Sequence, residues 1–210
     1  MTDLSLPAKA FPWENQEQPD PPPPSGLGPH FMLQDLFPSG GNAFFGLHSN
    51  LRLTYRQSRP EQRKQVINAM IWEGSPLPQE RYDDPGLHEL WRGDELVGLF
   101  AIDASLLGHN ASLEVKAHLG LCYLIEELRG LGIGREVITS IASQLTAIVR
   151  DTVLGIAQPE KLPIQITLSA DVHNKRGELI ADVFCEQMMI AGDMIRESGL
   201  VFRFDARDCL

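Results

Sequence analysis

The sequence predicts a mixed α/β (α+β) domain, and three observations carry that reading. Segments that alternate apolar and polar residues with a period of two are separated by segments whose apolar residues recur at helical spacing. The 210 residues are 43% hydrophobic and 22% charged, the composition of a globular chain long enough to bury a sizeable core. Glycine and proline, the strongest breakers, fall mostly between the periodic segments rather than inside them.

Nine of the fifteen prolines stand in the first forty residues, Pro21 to Pro24 consecutively, which marks a polyproline-II or disordered stretch. Phe31, Met32, Leu33, Leu36 and Phe37 follow as a short apolar cluster, expected to dock on the chain's own domain because exposed clusters are costly. Residues 1–48 are therefore read as a Pro-rich extension, partly disordered or docked, and 49–210 as the folded domain. Leu51, Leu53 and Tyr55 alternate with Arg52 and Thr54, a half-buried strand. A helix follows, with Ser58 as N-cap, Pro60 in the first turn, and Val66, Ile67, Met70 and Ile71 on one face. Trp72 to Pro85 is interrupted by Gly74, Pro76 and Pro78 and is read as a loop. Leu87 to Trp91 and Glu95 to Ile102 flank Arg92-Gly93-Asp94, a hairpin signal, with a connecting loop around Gly108 to Ala111.

His118 to Ile125 reads as a central strand, apolar on both faces: Leu119, Leu121, Tyr123 and Ile125 on one, Gly120, Cys122 and Leu124 on the other. From Gly134 the period becomes helical, with Val137, Ile138, Ile141, Ala142, Leu145, Ile148 and Val149 on one face. Pro163 to Ala170 is again a strand, Gly177 to Arg196 a long helix, and Leu200 to Asp205 the last strand.

Eighteen basic residues against twenty-eight acidic ones give a net charge of −10, which argues against a broad phosphate-neutralising surface and hence against nucleic acid as a partner. The same excess attracts cationic amines. Cys122, Cys185 and Cys209 are odd in number and far apart, so neither a disulfide framework nor a metal site is indicated and a reducing compartment fits. The start lacks a leader pattern and no run of eighteen apolar residues occurs, so a cytoplasmic protein without a membrane span is expected.

The most informative residues are Arg129-Gly130-Leu131-Gly132-Ile133-Gly134-Arg135, between a buried strand and an amphipathic helix. Glycines there let a ligand approach the backbone, while the unpaired N–H groups and positive dipole end of a helix start favour an anion. A dinucleotide fingerprint starting at Gly130 or Gly132 would need glycine where Arg135 or Val137 stands, and the Gly-Lys-Ser/Thr of a P-loop is missing.

What remains, Arg-x-x-Gly-x-Gly, resembles the cofactor loop of the GNAT superfamily of N-acetyltransferases. The resemblance extends over about residues 51 to 206. It includes Cys122 to Gly130, similar to the family's central strand and loop, with Glu126 where proline is common, and Leu168-x-Ala170 followed by Asn174. It implies a GNAT-like mixed, mostly antiparallel central sheet flanked by helices and splayed at a bulged central strand. It also implies acetyl-CoA as co-substrate and direct acetyl transfer to a primary amine on a small molecule or protein, and it leaves room for a homodimer. Under this resemblance Leu124 and Ile125 offer main-chain groups to pantetheine, the Leu124 N–H faces the thioester carbonyl, and residues Arg129, Gly130, Leu131, Gly132, Ile133, Gly134 and Arg135 hold the diphosphate, with Asn174 on the cofactor arm.

The acceptor nitrogen must lose a proton, and the neighbourhood of the central strand's start offers His118 and Glu114; Glu126 and Glu127 lie nearer the loop. The family's thiolate-protonating tyrosine has no counterpart: the aligned position is Ala181, and the tyrosines are Tyr55, Tyr82 and Tyr123. Water, His173 or Tyr123 are the alternatives, or the site is altered. A catalytically silent acyl-CoA-binding protein, regulatory or interacting, is the competing reading. Glu73, Glu80, Asp83 and Asp84 after the first helix suit a cationic acceptor or simply solvate a loop.

Overall fold

The computed structural model describes residues 30–37, 43–45, 48–55, 58–73, 87–109, 112–155, 163–172, 175–197 and 202–205. Among these residues it is a mixed α/β fold: one sheet of eight strands flanked by helices. In chain order the elements are β1 (His30–Met32), β2 (Ala43–Phe45), β3 (His48–Tyr55), α1 (Pro60–Trp72), β4 (Leu87–Arg92) and β5 (Glu95–His109). Then come β6 (Ser112–Leu124), α2 (Ile133–Leu154), β7 (Ile164–Ala170), α3 (Lys175–Glu197) and β8 (Phe202–Asp205). The strand order is β2-β3-β4-β5-β6-β7-β8, with β1 on β5. Pairings from β1 through β6 are antiparallel, and only the two that follow long helical crossovers, β6 with β7 and β7 with β8, are parallel.

Part of the proline-rich extension belongs to the sheet. β1 pairs with Ser105–Leu107 of β5, beyond Ala101, where pairing with β4 stops. Leu33 and Phe37 behind it are buried, and the Phe37 ring packs against Tyr55 and His88.

α2 and α3 pack on each other and cover one face of the sheet. The apolar stripe of α2 (Val137, Ile138, Ile141, Leu145, Val149) is fully buried there, which accounts for a helix otherwise long and apolar enough to cross a bilayer. α1 covers the other face through Val66, Ile67 and Met70, which pack with Trp91, Leu96 and Leu99. Ile71, expected on that face, is 47% exposed. The helix begins one residue later than expected: Arg59 is the N-cap, and Ser58 turns inward, its N–H donating to Glu89 Oε2 at 2.7 Å and its hydroxyl to Oε1. Glu89 is fully buried beneath α1 and also receives the Thr54 hydroxyl and faces Arg63. A buried carboxylate demands such partners, and that demand overrides the capping preference of Ser58.

β5 and β6 are longer than the sequence suggested. The expected loop at Gly108–Ala111 shrinks, because β5 reaches His109 and β6 starts at Ser112, with Leu113, Val115 and Ala117 buried between Ser112, Glu114, Lys116 and His118. The predicted face assignment of β6 also fails past Gly120. Ile102 pairs with Leu119 but Ala101 with Leu121, so Gly120 is an extra residue, a β-bulge. The extra residue inverts the alternation: Leu119, Cys122 and Leu124 share the α2/α3 face, while Leu121 and Tyr123 pack beneath α1. At the same level β7 leaves. Its register with β6 ends at Leu119–Ala170, and the Asp171 N–H closes onto the Leu119 carbonyl at 2.9 Å. Among the described residues, the central strand from Gly120 to Leu124 is paired on its β5 side alone, which opens a splay between β6 and β7.

Candidate functional site

The splay is the back of a cleft of about 1160 Å³. Its wall is built from the end of β6, the turn into α2, the end of β7, the first turns of α3, and Met70 and Glu73 at the end of α1.

The turn is shaped by its glycines. After a 3-10 turn at Glu126–Leu128, Gly130 and Gly132 have φ of +79° and +81°, a left-handed conformation that a Cβ disfavours. A Cβ on Gly132 would meet nothing within 4 Å, so the front of the turn is open. Gly134 serves packing instead: a Cβ there would lie 3.2 Å from Ile180 Cδ1, where α2 and α3 approach. The first backbone bond of α2 runs from the Glu136 N–H to the Gly132 carbonyl, at 3.2 Å. The N–H groups of Ile133, Gly134 and Arg135 therefore lie ahead of the intrahelical bonds at the positive end of a 22-residue helix. Arg129, Arg135, Lys175 and Arg176 line the cleft against the carboxylates Glu73 and Asp171. In a chain of net charge −10, this concentration of cations beside a bare helix start suits a polyanion such as a diphosphate.

The strand supplies a second feature. The Ile125 N–H donates to the Val97 carbonyl at 3.0 Å, so Ile125 faces β5 and its amide is committed. Antiparallel partners alternate between bonded and non-bonded pairs, so Leu124, opposite Gly98, turns its N–H and C=O away from β5 and into the splay. Cys122, opposite Phe100, does the same.

A third feature joins the two. Arg129 donates from Nε to the Leu124 carbonyl at 2.7 Å and from Nη2 to Glu73 Oε2 at 2.5 Å, and its guanidinium lies 5.1 Å from the centre of the Tyr123 ring. The Tyr123 hydroxyl donates to Glu73 Oε1 at 3.0 Å. Burial first, then the Glu73 carboxylate, push the Tyr123 hydroxyl up to about 12, so it keeps its proton at neutral pH. Burial also pushes the Cys122 thiol up to about 12, which leaves it a poor nucleophile.

Tyr123, Leu124, Arg129, Gly130, Gly132, Gly134 and Arg135 thus meet in one cleft. Leu131 is exposed on the turn and Ile133 is buried beneath it. His118 and Glu114 stand on the part of β6 that precedes the bulge and are not among the residues lining the cleft, although the His118 ring faces Asp171, which does line it. Leu124 lies six positions along the strand from His118, roughly 20 Å at the usual rise per residue. His118 Nδ1 is 2.9 Å from Ser169 Oγ and its Nε2 3.5 Å from Asp171; Glu114 accepts from Thr167 and faces Lys116. Glu126 and Glu127 are exposed on the 3-10 turn. Ala181 is buried in the cleft wall. Asn174, His173, Tyr82, Glu80, Asp83 and Asp84 lie outside the described residues. Lys175 and Arg176 were not foreseen; their signal is a basic pair opening the last helix of an acidic chain.

No family model matches the chain, and no curated protein matches it. Among solved structures it is similar to an aminoglycoside acetyltransferase, meta-AAC0020, from an uncultured soil metagenomic sample. The complex with trehalose shares 11% identity at a TM-score of 0.39, and the complex with sisomicin 13% at 0.40. Each likeness covers 68% of this chain and 90% of the other.

Proposed function

We propose that the chain is an N-acetyltransferase that binds acetyl-CoA in this cleft and moves the acetyl group directly to a primary amine. The observation that carries the reading is the alignment of two different binding features in one groove. Strand amides that have no strand partner among the described residues, those of Cys122 and Leu124, face the splay, and a glycine-shaped helix start belongs to the same cleft, which Arg129, Arg135, Lys175 and Arg176 also line. A ligand with an amide-bearing arm and a diphosphate fits both features. When bound, acetyl-CoA supplies an activated thioester.

The protein's contribution is to place and polarise. The turn amides and the arginines hold the anion, and the strand amides align the arm as an added strand would. The Leu124 N–H meets the thioester oxygen, where charge develops as the amine nitrogen forms the new N–C bond and the C–S bond breaks. The nitrogen gives up one proton and the departing sulfur takes one. Tyr123 holds a proton beside the Leu124 end of the groove. A protonated Cys122 favours direct transfer over a covalent acyl-enzyme.

A second reading, a silent acyl-CoA-binding protein, is favoured by one observation: neither His118 nor Glu114 lines the cleft. Calorimetric titration with acetyl-CoA, followed by measurement of free thiol with a panel of primary amines, separates the two. Binding with thiol release supports transfer, binding alone supports the silent reading, and no binding removes both.

A further inference from the structure

The place occupied by the Arg129 guanidinium has the makings of a cation site in its own right. A carboxylate (Glu73), a main-chain carbonyl (Leu124) and an aromatic face (Tyr123) converge on one planar cation, at 2.5, 2.7 and 5.1 Å respectively. The Tyr123 hydroxyl fixes the carboxylate from its other oxygen at 3.0 Å. A carboxylate, a carbonyl and a ring face together are what an alkylammonium needs: a counter-charge, acceptors for its N–H groups, and a quadrupole. The same guanidinium sits on the last residue before the glycine turn, with its charge in the groove that suits a diphosphate. It has two anionic partners to choose between, Glu73 and the incoming phosphates.

Resting on the reading above, we infer that Glu73, the Leu124 carbonyl and the Tyr123 ring form the subsite for the acceptor's ammonium group, and that Arg129 occupies it until a bound diphosphate draws the guanidinium away. The acceptor class is accordingly an amine that arrives protonated, and the two substrates bind in a coupled manner. A cofactor can shift this equilibrium only by its differential affinity for the two positions of Arg129, which the phosphate charge supplies.

The test is calorimetry on the full chain, with coenzyme A and with 1,4-diaminobutane as the ammonium probe. Wild type is expected to bind the diamine about fivefold more tightly once coenzyme A is saturating, the scale of one half-exposed ion pair that no longer has to be broken. Arg129→Gln is expected to bind the diamine that tightly without coenzyme A, and Glu73→Gln to lose the gain while binding coenzyme A more tightly than wild type. Diamine affinity indifferent to coenzyme A, or unchanged in Arg129→Gln, overturns the inference while leaving acetyl transfer intact. Failure of wild type to bind coenzyme A overturns the underlying reading instead. Should Glu73→Gln not fold, the Arg129→Gln comparison decides alone, since it predicts a gain of affinity that damage to the fold does not produce.

Discussion

The Ile125 N–H is bonded to the Val97 carbonyl at 3.0 Å, and that one ladder bond determines which way the preceding residue points. With Ile125 turned towards β5, the Leu124 amide must face the splay. Leu124→Pro deletes that amide without removing a bond to β5. Under the proposed mechanism kcat is expected to fall by about 10²–10³, the usual effect of losing one oxyanion donor. Steady-state rates beside a melting curve are the measurement. A melting temperature near that of wild type with an unchanged rate would sink the assignment of the Leu124 N–H.

Gly132 separates conformational from electrostatic requirements in the turn. Its φ of +81° means that Gly132→Ala costs about 1–2 kcal/mol of stability. Yet a Cβ there has open space, so coenzyme A binding should survive. Gly132→Glu places a negative charge before the helix start and should abolish it. Ligand at 100 times its Kd adds about 2.7 kcal/mol, so a thermal shift with acetyl-CoA for wild type and Gly132→Ala, and none for Gly132→Glu, is the expected pattern. An equal shift in all three would move the anion site away from the turn.

The turn was legible because its chemistry is local: Arg129 to Arg135 combine glycine spacing, a preceding apolar strand and a following amphipathic helix within a few residues. The helical stripe of α2 was legible for the same reason. What could not be read were consequences of partners distant in sequence. The face swap at Gly120 depends on register with β5, since a bulge has no signature in an apolar run such as Leu119 to Ile125. Ser58 looks like an N-cap until Glu89, thirty-one residues on, claims it. The separation of His118 from Leu124 was already implicit in a strand read from His118 to Ile125, and the strand's extension back to Ser112 is recorded in the alternation of Leu113, Val115 and Ala117 with polar neighbours. Glu73 was foreseen only as one acid of a loop; its contact with Tyr123 and Arg129 joins segments fifty or more residues apart.

Tyr123 gives a direct spectroscopic readout of that junction. Its hydroxyl is raised from 10.0 to about 12 by burial and then by Glu73. An acid with a raised folded value stabilises the protein fully below its unfolded value, and the contribution is lost as pH climbs through the folded one. The window is therefore about pH 10 to 12. Tyrosinate absorbance followed against pH while the protein remains folded should contain a late phase that belongs to Tyr123. Tyr123→Phe should remove that phase, and Glu73→Gln should move it downwards. An unshifted phase in Glu73→Gln would show that the carboxylate does not act on the ring.

Glu89 should report stability without chemistry. Its fully buried carboxylate is held by Ser58, Thr54 and Arg63 beneath α1, away from the cleft lining. Removing one partner from a buried charged cluster costs about 3–5 kcal/mol. Glu89→Ala should accordingly lower the unfolding free energy by that scale, read as the shift in urea midpoint multiplied by the m-value, while coenzyme A affinity measured under folded conditions stays within about twofold of wild type. A large loss of affinity in the folded variant would mean that the network under α1 also sets the site.

Gly98 tests whether the position of Leu124, and not merely its identity, matters. The two residues face each other across β5 and β6, and a Cβ on Gly98 would lie 2.8 Å from Leu124 Cδ2 and 2.9 Å from the Tyr123 carbonyl oxygen. The side chain can rotate away, but the carbonyl belongs to the strand, so the end of β6 must shift. Overpacking of this kind costs about 1–3 kcal/mol, equivalent to a drop in melting temperature of about 2–4 °C per kcal/mol in a chain of this size. Because the shift moves the amide proposed to face the thioester, Gly98→Ala should lose kcat out of proportion to that modest destabilisation, while its affinity for coenzyme A, set mainly by the turn at Arg129–Arg135, changes less. Equal losses in kcat and in affinity would show that the strand end and the turn move as one body, and the separation of placing from polarising drawn above would not hold.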